Sequence, residues 1–396
     1  MIGAPRYHVL AILSLAYFLC YLARMAMASA IPFIAQDLQL SPLAMGGVLS
    51  AFFAGYSMMQ IPGGLLTDRF GPNRVLTLAI ALWSLLSAAT ALATALLPML
   101  ALRALFGAAE APFPAAAAKA LTIWFPPHQL GRANGVMLAS TQLGASLAPV
   151  IVAGMVIVWG WRSAFLSLLL PGMLLAWLIR HRVTDRPDAG RAPTADSATV
   201  ISALRNPAVL WCFLAAFFSN LAAWGLFSWL PTYLLRARGF GVEKLALYGA
   251  LPYLAGALGY FLSGQLSDRY FRRRRHLVVP AGLILSALST LAAASATSGD
   301  IAVTWLAPAF LFLAIADAGI NTLPMVIVPL AAVGAAFGLI NSAAQLAGFL
   351  SPLLVGTVLT LTSDDFTLVF HGFVAALLAA AIAALFIRQR DAAARA

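Results

Sequence analysis

The chain has 396 residues, 62% of them hydrophobic and only 9% charged, with a formal net charge of +11. Apolar runs of 18 to 28 residues recur between short polar breaks, which excludes a water-soluble globular domain and marks an integral membrane protein. The runs are continuous rather than alternating, so helices and not a closed barrel satisfy the backbone in lipid, and the predicted class is an all-α polytopic membrane protein.

Twelve membrane spans are predicted, at 7–35, 43–66, 75–96, 98–122, 133–158, 163–180, 208–234, 245–266, 277–297, 302–326, 333–361 and 367–387. Twelve is even, so both ends lie on one side. The first run has no small-residue cleavage site after it and is expected to be retained as an anchor. Seventeen of the 24 Lys and Arg fall in the two tails and the even-numbered loops, against four (Arg162, Arg236, Arg238, Lys244) in the odd ones. The positive-inside rule then places both termini in the cytoplasm. The basicity is therefore topological, with the lipid bilayer and its anionic head groups as partner and no nucleic acid. Cys20 and Cys212 lie within spans, so no disulfide framework is expected. Alanine-rich spans with arginine far exceeding lysine point to a GC-rich bacterial genome and an inner (plasma) membrane.

A charge at the centre of a membrane helix costs roughly 2.5 to 3.5 kcal/mol on insertion scales, which makes it a poor filler residue. In span 1, Arg24 has no other charge in its run until Asp37; it reads as the main anion contact, against the alternative of a side chain snorkelling to an interface. "GGLLTDRFGPNR" (63–74) follows span 2. Span 4 carries "RALFGAAEAP" (103–112), in which Arg103 and Glu110 are seven residues apart and share a helix face, about 10.5 Å apart in rise. Arginine stays protonated and offers a fork to a carboxylate, whereas a glutamate that loses solvent takes up a proton and releases it when a cation approaches. One helix would thus hold an anion-sensing cation and a titratable proton carrier; a permanent structural ion pair is the alternative. Lys119, near the end of the same span, reads as an interface or loop contact rather than a substrate ligand.

Further along, Gly131, Gly135 and Gly144 in span 5, with Gly334, Gly338 and Gly348 in span 11, are expected to let helices approach closely, and Pro149 and Pro352 to kink them. Asp317 in span 10 reads as a second proton site or hydrogen-bonding acid, or as a structural partner of Asn321. Tyr21, Tyr56, Trp224 and Tyr253 suit either solute contact or packing. Gln142, Asn220, Asn321, Asn341 and Gln345 suit either hydroxyl ligation or holding helices together.

The longest polar segment, 180–207, divides six spans from six, giving an expected amino-terminal bundle (1–180), a cytoplasmic linker (181–207) and a carboxy-terminal bundle (208–396). The halves echo one another. Gly64, Leu66, Asp68 and Arg69 return 200 residues later as Gly264, Leu266, Asp268 and Arg269. Gly135, Gln142 and Pro149 return 203 residues later as Gly338, Gln345 and Pro352, and Ser29 and Pro32 pair more weakly with Ser228 and Pro231. Duplication of a six-span unit is the mark of secondary transporters. No P-loop is present and no soluble domain could hold a nucleotide, so drive by gradients rather than ATP is expected.

With "GGLLTDRFG" after span 2 and its copy after span 8, the chain resembles the major facilitator superfamily over essentially its whole length. The resemblance implies two pseudo-symmetric six-helix bundles, with Asp68, Arg69, Asp268 and Arg269 as cytoplasmic gating residues. Physically, the aspartate is suited to capping a helix start and pairing with cations of neighbouring helices; a topology anchor is the alternative. The copy departs from the pattern where Gly71 has no equivalent. Four stretches, "YLARMAMASAIPFI" (21–34), "AGYSMMQIPGGLLTDRFG" (54–71), "RALFGAAEAPFPAAAAKALTIWFPPHQLGRANG" (103–135) and "GWRSAF" (160–165), are similar to the anion:cation symporter family. That similarity implies that Arg24 engages the substrate carboxylate, that Arg103 and Glu110 form a charge pair tied to proton coupling, and that Tyr21, Tyr56, Gln142 and Gln345 line the cavity. Family members moving sugar acids often have Asp directly before the span-1 arginine; here that position is Ala23, which bears on proton stoichiometry.

The expected function is import of a small organic anion, a carboxylate such as a sugar acid, with protons by alternating access, as a monomer without cofactors or metal. An anion exchanger for phosphorylated or dicarboxylate solutes is the first alternative, and a drug or metabolite exporter the second. Ala148 rather than Gly precedes Pro149, which speaks against the exporter. A non-transporting sensor or scaffold lacks a signalling domain here. An enzyme is not expected, since the five histidines sit at span ends or in loops with no metal-ligand spacing or nucleophile constellation.

Overall fold

Each predicted span has a helical counterpart in the computed structural model: Arg6–Asp37, Pro42–Phe70, Pro72–Thr90, Leu96–Trp124, Gln129–Trp159, Trp161–Arg182, Pro207–Ala237, Val242–Ser263, Leu277–Ala294, Gly299–Thr322, Val333–Leu361 and Phe366–Leu385. The structure describes residues 5–184, 205–269, 275–323, 327–328 and 332–387, with only the backbone described at 5, 127–128, 264–269 and 275–276. No strand occurs among the described residues. Most of the expected linker lies outside them.

The span ends follow local chemistry. Helix α1 is Pro5–Asp37 and α2 is Pro42–Phe70, whose start is capped by Ser41 Oγ accepting from the Ala44 amide at 3.2 Å. Helix α3 is Pro72–Thr90 and ends six residues before the expected span does, because residues 91–95 are non-helical although their alanine-rich composition reads like helix. Gly71 joins α2 to α3 with φ 81°, a backbone region that a Cβ disfavours, and Pro72 opens the next helix in its preferred first position. Asp68 lies inside the last turn of α2 and does not cap α3, contrary to its expected role, since the N-cap is Gly71 itself. Asn73, which sequence reasoning passed over, fastens the start of α3 to the end of α8 (Leu169–Arg182) by donating Nδ2 to the carbonyls of Ile179 (2.9 Å) and Val183. The Ile179 carbonyl already accepts the Val183 amide at 3.0 Å, so Asn73 adds a second bond there and supplies a donor to the Val183 carbonyl just past the helix end.

Span 4 is two helices, α4 (Leu96–Glu110) and α5 (Phe113–Trp124), broken at Ala111 and Pro112 immediately after the buried glutamate. Helix α6 is Pro127–Trp159, and α7 (Trp161–Leu166) leads into α8. Later come α9 (Pro207–Thr232), which runs into a π-helical turn at Tyr233–Ala237, then α10 (Val242–Tyr248), α11 (Leu251–Arg269), α12 (Arg275–Ala294), α13 (Gly299–Thr322), α14 (Val333–Leu361) and α15 (Phe366–Leu385). The chain forms two compact units. One comprises Met1–Gly190, Ser228–Ala250 and Pro352–Thr360; the other comprises Arg191–Phe227, Leu251–Ser351 and Leu361–Ala396.

In the first unit α2 crosses α4 at backbone contact. A Cβ on Gly55 would lie 1.8 Å from the Ala104 carbonyl oxygen, and one on Gly107 would lie 2.0 Å from that of Phe52. Both sites require glycine, and the crossing sets the aromatic residues of α2 against the end of α4. Gly107→Ala is expected to cost about 1 to 3 kcal/mol through forced separation of the two backbones, measured as a lowered melting temperature of the purified protein in detergent. The expected glycine packing of α6 and α14 is corrected in part. Gly144 does meet α1, its Cβ position 2.2 Å from the Phe18 oxygen, but Gly131, Gly135, Gly334 and Gly338 have nothing within 4 Å. Their recurrence across the halves is a matter of sequence rather than of close approach.

Candidate functional site

Arg24 and Glu110 form a buried ion pair through Nη2 and Oε1, with side-chain exposures of 11% and 0%. Arg24 lies about 28 Å along α1 from Pro5 and about 20 Å from Asp37 by helical rise, so neither end of the helix is within snorkelling reach. The pair bridges α1 and α4 across 86 residues of sequence. Around the guanidinium stand three rings, with centroids 4.8 Å (Tyr21), 4.6 Å (Phe52) and 5.4 Å (Tyr56) from Cζ. This arrangement stabilises a desolvated cation on several faces at once. The expected contributions of Tyr21 and Tyr56 thus converge on Arg24, and Phe52 joins them unannounced by any motif. Cys20, one turn before Arg24, is buried beside Glu110. Glu110 Oε2 is buried without a hydrogen-bond partner among the described residues, while Oε1 holds the arginine.

The expected charge pair within α4 is not formed. Arg103 is 1% exposed, donates from Nη2 to Thr90 Oγ1 of α3 at 3.2 Å, and lies over the rings of Phe106 (4.4 Å) and Phe165 (5.8 Å). The guanidinium is thus held by a hydroxyl of α3 and two rings and makes no ion pair with Glu110, whose charge still acts on it. Lys119 on α5 pairs with Asp68 Oδ1 at 2.8 Å and reaches the Thr67 carbonyl at 3.4 Å, so it is the loop-side contact expected of it. Arg69 lies over the adjacent Phe70 ring at 5.3 Å. The side chains of Asp268 and Arg269 lie outside the described residues.

In the second unit Asp317 on α13 has gathered neutral donors. Its Oδ2 accepts from Tyr260 Oη at 2.8 Å and from Asn321 Nδ2 at 3.0 Å, and Asn220 stands beside it with its Nδ2 donating to the Ala216 carbonyl at 2.9 Å. Asn321 thus holds an acid, and Tyr260 is the partner that sequence reasoning missed. Tyr253 is core: 3% exposed, packed on Phe227 and Phe310, and donating to the Phe227 carbonyl at 2.8 Å. Gln142 on α6, and Asn341 and Gln345 one turn apart on α14, are half-buried and make no side-chain hydrogen bond among the described residues.

A twelve-span helical chain with a charge pair in the middle of its first and fourth spans is built as a membrane transporter. The sequence profile of the Major Facilitator Superfamily matches residues 13–352, and the chain belongs to that superfamily. It is 32% identical to the probable sulfoacetate transporter SauU of Cupriavidus necator, over 96% of this chain and 94% of that one. It is 30% identical to the hexuronate transporter of Bacillus subtilis, over 91% and 90%. In fold it matches the crystal structure of a bacterial homologue of the human lysosomal transporter Spinster, with a TM-score of 0.81, 21% identity and 97% coverage of each chain.

Proposed function

We propose that the protein imports a small organic anion, a carboxylate or sulfonate of the kind named for its relatives, together with protons, by alternating access across a bacterial inner membrane with both termini in the cytoplasm. The observation that carries this reading is the Arg24–Glu110 pair inside its cage of Tyr21, Phe52 and Tyr56. The Arg24 Nη2 that Glu110 holds cannot at the same time bind a substrate anion. Protonation of Glu110 breaks the charge pairing and frees the guanidinium for a carboxylate or sulfonate, so proton and anion load together. Release reverses the order: when Glu110 gives up its proton, its carboxylate displaces the anion from Arg24. Gln142, Gln345 and Asn341 are proposed to take hydroxyls of the solute. Asp68, Arg69, Asp268 and Arg269 are proposed as gating residues, with the Asp68–Lys119 pair one of the contacts that changes.

Thermal-shift measurements on the purified protein test the substrate class, using a hexuronate, sulfoacetate, a simple dicarboxylate, a sugar phosphate and a neutral hexose. A carboxylate or sulfonate is expected to raise the melting temperature, and the half-saturating concentration is expected to fall as pH falls. Stabilisation confined to hydrophobic cations or neutral solutes would point to the export reading.

A further inference from the structure

We infer that Asp317, held by Tyr260 and Asn321, is a second proton-loading carboxyl that works independently of the Arg24–Glu110 pair. The inference deepens the proton-coupled reading and rests on it. Its basis is a difference between two buried acids. Glu110 is matched by a cation, whereas Asp317 has no cationic partner among the described residues. A lone carboxylate inside a membrane helix bundle is costly, and the compensations available are a cation, hydrogen-bond donors or a proton.

The groups around Asp317 bear on these. Tyr260 and Asn321 direct a hydroxyl and an amide donor at the carboxyl, which offsets part of the cost of the ionised form and so keeps it accessible beside the protonated one. A metal cation requires a shell of oxygens instead. The donors converge on Oδ2, so Oδ1 is the atom that takes the proton from water and returns it, while Oδ2 keeps its bonds in both states.

Among the described residues no fixed charge stands beside it. On α13 the other acid is Asp300, 17 residues away and so about 25 Å along the helix. On α11 the described ionisable side chains are Tyr260 and Tyr253, the latter bonded to the Phe227 carbonyl. On α9 there is Cys212, eight residues from Asn220, and residues 277–294 of α12 carry no ionisable group. The side chains of Asp268, Arg269, Arg275 and His276 lie outside the described residues. Asp317 also stands within about one turn of the position at which the duplicated half would repeat Glu110. Asp317 thus occupies the span that corresponds to that of Glu110 without standing at the repeated position itself.

The test is pH-difference infrared spectroscopy of the reconstituted protein, read at the C=O stretch of protonated carboxyls. Wild type is expected to show two buried titrating bands, with Asp317→Asn removing one and Glu110→Gln removing the other. Tyr260→Phe, which leaves the acid in place, is expected to keep the Asp317 band and shift its pH midpoint. An Asp317→Asn spectrum identical to wild type, or a Tyr260→Phe midpoint that does not move, overturns the inference. Loss of both bands in Asp317→Asn overturns the independence of the two sites. If Asp317→Asn loses a band and Glu110→Gln loses none, the Glu110 reading fails while the Asp317 site stands; if wild type shows no titrating buried carboxyl, both fail.

Discussion

Glu110→Gln is expected to abolish accumulation driven by an inward pH gradient while leaving exchange of anion across the membrane intact. Glutamine has nearly the shape of the protonated acid and cannot ionise, so the variant is fixed in the state in which Arg24 is released. Anion binding no longer has to compete with a carboxylate for the guanidinium. In wild type the coupling of one proton to one anion makes affinity fall by up to about tenfold per pH unit on the alkaline side of the coupled titration. In the variant that slope should flatten, with affinity at alkaline pH equal to or above that of wild type. Two measurements in proteoliposomes separate the possibilities: uptake under an imposed pH gradient, and counterflow between equal pH. Full gradient-driven accumulation by the variant would falsify the proposed role of Glu110. A wild-type protein that exchanges well and shows no response to the gradient would instead be an anion exchanger that uses the same arginine.

The parts of this arrangement that depend on composition were legible in the sequence. A charge in an apolar run is conspicuous whatever it touches, so Arg24, Arg103, Glu110 and Asp317 stood out before any fold was known. The pairing of those charges was not legible. Seven-residue spacing put Arg103 and Glu110 on one face of α4, but a shared face does not fix side-chain partners, and the Thr90 hydroxyl and the Phe106 and Phe165 rings hold the guanidinium instead. The true partner of Glu110 lies 86 residues earlier, on a helix whose rotation is set by packing. Phe52 joins the cage because Gly55 and Gly107 let α2 meet α4 at backbone distance, a fact that rests on two helices at once. Tyr260 is hidden for the same reason: a phenol in an apolar span reads as packing until an acid is found 2.8 Å from its hydroxyl.

Arg24→Ala is expected to lower anion affinity by roughly a hundredfold, the scale of about 3 kcal/mol for removing one member of a desolvated charge pair, and Arg24→Lys is expected not to restore it. Lysine keeps the charge but lacks the planar fork, so it can neither bind a carboxylate or sulfonate through two parallel bonds nor lie flat among Tyr21, Phe52 and Tyr56, whose centroids are 4.6 to 5.4 Å from Cζ. The folded protein should survive the alanine substitution better than a permanently charged pair would, because the orphaned Glu110 can take a proton and become neutral. Arg103 supplies the control. It is enclosed at 1% exposure by Thr90, Phe106 and Phe165, so Arg103→Ala should lower the melting temperature while leaving the half-saturating concentration of the bound anion within a few-fold of wild type. The discriminating measurement is ligand-induced thermal stabilisation of the three Arg24 forms and Arg103→Ala, using whichever carboxylate or sulfonate stabilises wild type. If Arg24→Ala retains the wild-type half-saturation and Arg103→Ala loses it, the anion is held by the arginine of α4, and the Arg24–Glu110 pair is a structural bridge between α1 and α4.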